Sequence, residues 1–183
     1  MKDFNLILAG IFFTLAASFG GLLISGEVQL GTLGRAPAEE GGALFPPRET
    51  GLAIQGRQVY IELGCVACHT QQVRPAGQGN DIAKGYGPRP SVARDYVLQS
   101  QLLLGNHRNG PDLANYGARA KSDDEIHGHL RSPAAGSMMP AYNFLYVVDK
   151  NGITQPTERA QALVAYLKSL RIDYNSPEAK LKQ

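Results

Sequence analysis

No charged side chain occurs between Asp3 and Glu27, and the stretch from Phe4 to Ser25 is almost wholly apolar or small. At a rise of 1.5 Å per residue, about 22 residues reach roughly 33 Å, enough to cross the core of a bilayer. Ala16-Ala17-Ser18 offers a signal-peptide cleavage site as the alternative. The apolar run continues past it through Gly20, Gly21, Leu22, Leu23 and Ile24, so residues 1–26 are read as a retained membrane anchor. Ala16 and Gly20, with Ala17 and Gly21, put small residues on one face of that helix, suited to close packing against another membrane helix.

After the anchor the pattern changes. Residues 27–50 are rich in Gly, Pro, Ala and Glu and read as an extended linker, stiffened at its end by Pro46-Pro47. Residues 51–64 place Leu52, Val59, Tyr60 and Leu63 at helical spacing, and Gly64 breaks the helix. A glycine-rich loop follows at 76–90, and 91–104 predicts a short helix with Ser91 as its cap. Ser122-Asp123-Asp124-Glu125 is a capping-box pattern that starts a helix to about Arg131, which Pro133 ends. The clearest amphipathic helix is 157–171, capped by Thr157 and lined by Ala160, Leu163, Val164, Leu167 and Leu170. Neither an internal repeat nor a convincing strand emerges. The expected fold is all-α: an anchor, a linker, a helical domain over 51–175 and a tail over 176–183.

Length and charge narrow little. The chain has 183 residues and a formal net charge of +2, room for one modest domain and some extra parts. Its Lys and Arg residues are scattered, unlike the basic clusters of nucleic-acid binders. The two cysteines change the picture. Being only Cys65 and Cys68, they exclude a disulfide framework, and they lack the partners of a zinc or dinuclear copper site. Cys65-Val66-Ala67-Cys68-His69 is C-x-x-C-H. Two thiols one turn apart can form thioethers to the two vinyl groups of one haem, and the adjacent His can bind its iron. A thioredoxin-like dithiol needs a strand before the motif and a helix after it, whereas here a helix precedes and loop follows. The chain thus reads as a c-type cytochrome with a class I-like haem domain, carrying one covalent haem c. Such a haem also supplies an apolar centre that so small a domain lacks.

The iron needs a sixth ligand or an open site. Met138 and Met139 lie about 70 residues beyond the motif, in the loop before the last helix, where class I cytochromes usually place a thioether ligand. Met139, directly before Pro140, is preferred, with Met138 as the alternative and His107, His127 and His129 as rivals. A methionine raises the potential, and a six-coordinate iron favours electron transfer over catalysis. Gly110-Pro111 is expected to pack on the haem, the carbonyl accepting from the free N–H of His69. Arg74, Arg108 and Arg119 are candidates to neutralise the propionates.

The run Gly56-Arg57-Gln58-Val59-Tyr60 through Gly64-Cys65-x-x-Cys68-His69-Thr70-Gln71 to Arg74-Pro75 resembles the mono-haem subunit of cbb3-type cytochrome c oxidases. So do Arg108-Asn109-Gly110-Pro111-Asp112-Leu113, Gly117-x-Arg119, Ser122-Asp123-Asp124, His129-Leu130-x-x-Pro133 and Ser137-Met138-Met139-Pro140-Ala141-Tyr142. The matching motifs cover residues 52–146 in order. Arg74-Pro75 combined with the Met-Pro-Ala-Tyr ending is much more specific than C-x-x-C-H, which all c-type cytochromes share. The stretch 76–106 departs from the family in being glycine-rich and less aromatic, and the chain has no tryptophan.

The resemblance implies an electron-relay subunit, not an enzyme on its own, docked on a larger membrane subunit that carries haem b and copper. It implies His69 and Met139 as iron ligands and Gly110-Pro111 as the proximal loop. Other c-type cytochromes would be donor or acceptor. Because haem c is attached outside the cytoplasm, the domain is expected on the periplasmic side of the inner membrane. The rival readings are a cytochrome subunit of a quinol-oxidising or photosynthetic complex, and a haem sensor or enzyme with an open iron site.

Overall fold

The computed structural model describes residues 2–179; the last residues of the expected tail, 180–183, lie outside them. The chain divides into two compact units, 1–35 and 36–183.

The first unit is one helical rod: α1 (Lys2–Ser18), a wider π-helical stretch (Phe19–Ile24) and α2 (Ser25–Leu30). The π-helical stretch falls on Gly20-Gly21, where no β-carbon stiffens the backbone. Thr14 and Ser25 satisfy their hydroxyls on the carbonyls of Gly10 and Gly21, at 2.8 and 2.6 Å. That keeps their polarity inside the rod. From Phe4 to Leu30 the large apolar side chains are about half exposed or more. Its 27 residues are long and apolar enough to cross a membrane. The rod continues beyond the expected end of the anchor, through Glu27 to Leu30.

The second unit takes most of its regular structure from helices and is built on two of them. Helix α3 (Gly51–Glu62) is capped by Thr50, whose hydroxyl accepts from Ala53 N–H at 3.3 Å. Helix α6 (Glu158–Ser169) is capped by Thr157, which accepts from Ala160 N–H. Gly56 allows the crossing, because a β-carbon there would overlap the Ala162 carbonyl of α6. The buried stripe of α3 is Ala53, Gly56, Val59 and Tyr60; Leu52, expected on it, is 45% exposed. Val59, Tyr60, Leu163, Val164, Tyr166 and Leu167 form the main core with Leu103, Leu113, Ile126, Leu130 and Leu145. Helix α5 (Asp123–Arg131) starts at Ser122, which accepts from Glu125 N–H at 3.1 Å. The short α4 (Tyr116–Arg119) sits close to α6, since a β-carbon at Gly117 would meet the Lys168 carbonyl.

Two expectations are corrected. The helix over 91–104 is a single 3-10 turn, Ala93–Tyr96. Its Asp95 carboxylate accepts from Val92 N–H and binds the guanidinium of Arg89 at 2.7–2.9 Å, which fixes one turn and then releases the chain. Ser91, the expected cap, accepts instead from Val73 N–H at 3.0 Å. Strands also occur, as two antiparallel ribbons: β1 (Ala36–Pro37) with β2 (Leu44–Phe45), and β3 (Tyr146–Val148) with β4 (Thr154–Pro156). Part of the expected linker is therefore ordered. Strands of two or three residues are too short to leave a period in the sequence.

Candidate haem site

Gly64 ends α3 in the left-handed region, with φ +70°, which glycine adopts freely. The chain then enters a 3-10 turn, Cys65–Ala67, closed by Ala67 N–H to the Gly64 carbonyl at 2.9 Å. His69 N–H donates to the Cys65 carbonyl at 2.9 Å. One tight turn thus sets both thiols and the imidazole. Cys65 packs against the core beside Val66, while Cys68 is exposed, and both are free thiols. Burial pushes the Cys65 thiol up to about 11, which disfavours the nucleophilic thiolate of a dithiol redox centre.

The loop after Leu103 returns to this turn. His69 Nδ1 lies 2.8 Å from the Pro111 carbonyl, so the ring donates there and leaves Nε2 outside the bond. Gly110 lies against the imidazole, and a β-carbon there would overlap the ring. Gly105, with φ +76°, passes the His69 carbonyl as closely. Gly110 N–H donates to the Cys68 carbonyl at 3.0 Å, and Leu113 N–H to the Thr70 carbonyl at 2.8 Å. The sequence-predicted Cys65, Cys68, His69, Gly110 and Pro111 therefore come together.

Met139 is half-buried against the core cluster that Cys65 and Val66 also join, and its N–H donates to Ser137 Oγ at 3.1 Å. Met138 is 76% exposed. Of the rival histidines, His107 and His129 are exposed, and His127 is paired with the Tyr146 hydroxyl at 2.9 Å. Arg74 and Arg108 both bind Asp81, at 3.0 and 2.8 Å. Arg119 stacks between Tyr86 and Tyr116 and donates to the Asp112 carbonyl, while its buried Nε has no acceptor among the described residues. Desolvation lowers the Arg119 pKa from its ordinary value.

Sequence reasoning missed the polar residues that hold this arrangement. Asp112 accepts from Thr70 Oγ1 at 2.6 Å, Gln72 N–H at 2.8 Å and Ala114 N–H at 2.9 Å. Asp81 accepts from Arg74 N–H at 2.9 Å as well as from both guanidinia. The only local signal was a Pro-Asp pair, common in any turn.

The family described as cytochrome c oxidase, mono-haem subunit/FixO matches residues 44–181. The chain belongs to the FixO family. It is thus a mono-haem subunit of a cytochrome c oxidase of the cbb3 type, the family its motifs resemble. No curated protein matches the chain. A FixO subunit has one haem and a larger oxidase complex around it. The residues present fit a haem: a glycine cradle holds the imidazole with Nε2 outside its hydrogen bond, two free thiols lie in the preceding turn, and a buried guanidinium N–H lacks an anion.

Proposed function

We propose that this FixO chain is a single-pass, membrane-anchored c-type cytochrome that relays single electrons inside the oxidase. Cys65 and Cys68 hold the haem through thioethers, and His69 Nε2 and Met139 Sδ ligate its iron in a class I-like domain. The observation that carries this reading is the 2.8 Å contact of His69 Nδ1 with the Pro111 carbonyl, directly beyond the two cysteines. That bond fixes the tautomer and makes Nε2 the basic, ligating nitrogen. When bound, the haem supplies a one-electron iron couple. Gly110 lets the ring sit flush with the loop, and Arg119 is suited to a propionate because its buried Nε needs an acceptor. The helix through Phe4–Leu30 crosses the inner membrane, with the haem domain on the periplasmic side. The larger subunit carrying haem b and copper receives the electron, and another c-type cytochrome supplies it.

The test is haem staining of the purified protein on a denaturing gel, for wild type and a Cys65→Ser/Cys68→Ser double variant. Stain in the wild type alone is expected. A wild-type haem that acid-acetone extracts from the chain overturns covalent attachment. Isolation of the intact membrane complex should also recover haem b, copper and cyanide-sensitive oxygen uptake; their absence overturns the partner assignment.

A further inference from the structure

The carboxylate of Asp112 is buried with 0% exposure, and the residues it binds are the immediate neighbours of the site. It joins two segments. One is Thr70-Gln71-Gln72, directly after His69; the other is the loop that brings Pro111 onto the imidazole. Oδ2 accepts from the Thr70 hydroxyl at 2.6 Å and from Gln72 N–H at 2.8 Å, while Oδ1 accepts from Ala114 N–H at 2.9 Å. On the other side of His69, Gly110 N–H holds the Cys68 carbonyl at 3.0 Å. The two segments are thus tied on both flanks of His69. The Nδ1–Pro111 contact lies between the ties.

Holding two segments together does not by itself require a charge. Apolar packing or a neutral amide closes loops elsewhere without the several kcal/mol that burying an ion costs. Arg108 lies 3.8 Å from the carboxylate, but its closer bond is to Asp81, at 2.8 Å, and Arg119 donates to the Asp112 backbone carbonyl. Arg108 also donates to the Gln72 carbonyl at 2.8 Å. Asp81 comes from the glycine-rich loop 76–90, so that loop reaches the proximal segment through Arg108. Gly79 makes room for this, since a β-carbon there would run into the Arg74 guanidinium that also binds Asp81.

We infer that Asp112, braced by Thr70 and by the Asp81–Arg108 pair, is a positioning residue that sets the plane of the His69 imidazole and lowers the potential of the haem it ligates. The inference rests on the haem reading above. Positioning follows from the hydrogen bonds, because releasing Thr70 frees the loop that supplies the Pro111 carbonyl. The potential follows from charge and from donation: a buried anion bonded to the segment that carries His69 would favour the oxidised, more positive state of a haem held there, and a firm Nδ1–H bond would make Nε2 a better donor to that state.

The experiment uses the full chain with its haem, purified in detergent. Two readouts are taken: the haem-methyl NMR shift pattern of the oxidised protein, which reports the plane of the axial imidazole, and the midpoint potential. Thr70→Val removes the hydroxyl donor and keeps the shape; it is expected to change the shift pattern, and Thr70→Ser to restore it. Asp112→Asn keeps the volume and removes the charge; it is expected to change the pattern and raise the potential. Asp112→Asn decides alone if Thr70→Val takes up no haem. Wild-type shifts and potential in Asp112→Asn, with only earlier thermal unfolding, overturn the proposal and leave the haem reading standing. A wild-type protein without covalent haem, or a His69→Ala variant with an unchanged iron spectrum, overturns the haem reading and this inference with it.

Discussion

The two sides of the candidate haem site are built differently. On the His69 side, the Pro111 carbonyl holds the ring, and bonds among Cys68, Thr70, Gln72, Gly110 and Asp112 tie the two segments that carry these partners. On the methionine side, Ser137-Met138-Met139-Pro140 is an exposed loop apart from half-buried Met139, in which Met139 N–H donates to Ser137 Oγ, and Tyr142 N–H just beyond it donates to the Leu130 carbonyl of α5. The imidazole position is a property of the folded chain, whereas the thioether position depends more on what the loop closes upon.

Gly110→Ala should be the most damaging substitution on the His69 side. A methyl group there meets the imidazole, and overpacking of this kind costs about 1–3 kcal/mol or forces the ring away. Loss of most covalent haem is expected, measured as haem per mole of purified chain; normal content would show that the proximal side is softer than described. Next in size is Met139→Ala, expected to retain the haem but let the reduced protein bind carbon monoxide, while Met138→Ala binds none. Carbon monoxide binding by Met138→Ala alone would reverse the ligand assignment.

The smallest expected effect concerns acid stability. Burial opposes the charge of Asp81, but the hydrogen bonds and charges of Arg74 and Arg108 outweigh it and hold its pKa below the ordinary 3.8. A depressed carboxylate stabilises the fold above its unfolded pKa, and that contribution is lost as pH falls below it. Acid unfolding followed by near-ultraviolet circular dichroism should therefore begin below about pH 4, and Asp81→Asn should flatten that limb. An identical acid limb in the variant would remove Asp81 from the network.

The same contrast explains what could be read in the sequence. Helices α5 and α6 were legible because Ser122 and Thr157 each cap a donor three residues ahead, and α3 because its apolar residues recur at helical spacing, patterns contained in a few consecutive letters. The cysteine turn was legible for the same reason, with Gly64 stopping the helix just before it. The helix expected over 91–104 failed because Asp95 is committed to Arg89 and to the Tyr174 hydroxyl, 79 residues away in the chain. Asp112 and Asp81 were passed over because their partners are up to 42 and 27 residues distant. Local chemistry signs the sequence; long-range polar pairing does not.

The buried Arg89–Asp95 pair has a mechanical consequence. Tyr174, near the end of the described chain, lies under the Arg89 guanidinium at 4.8 Å, and Phe45 stacks on the other partner of that cation, the Tyr174 ring, at 4.3 Å. The chain is therefore gripped at Phe45, six residues before α3 begins at Gly51. Force arriving along the upstream segment meets this grip before it can reach the helix that leads into Cys65. The stack works like the strain relief on a cable, clamping the lead ahead of the helix it feeds.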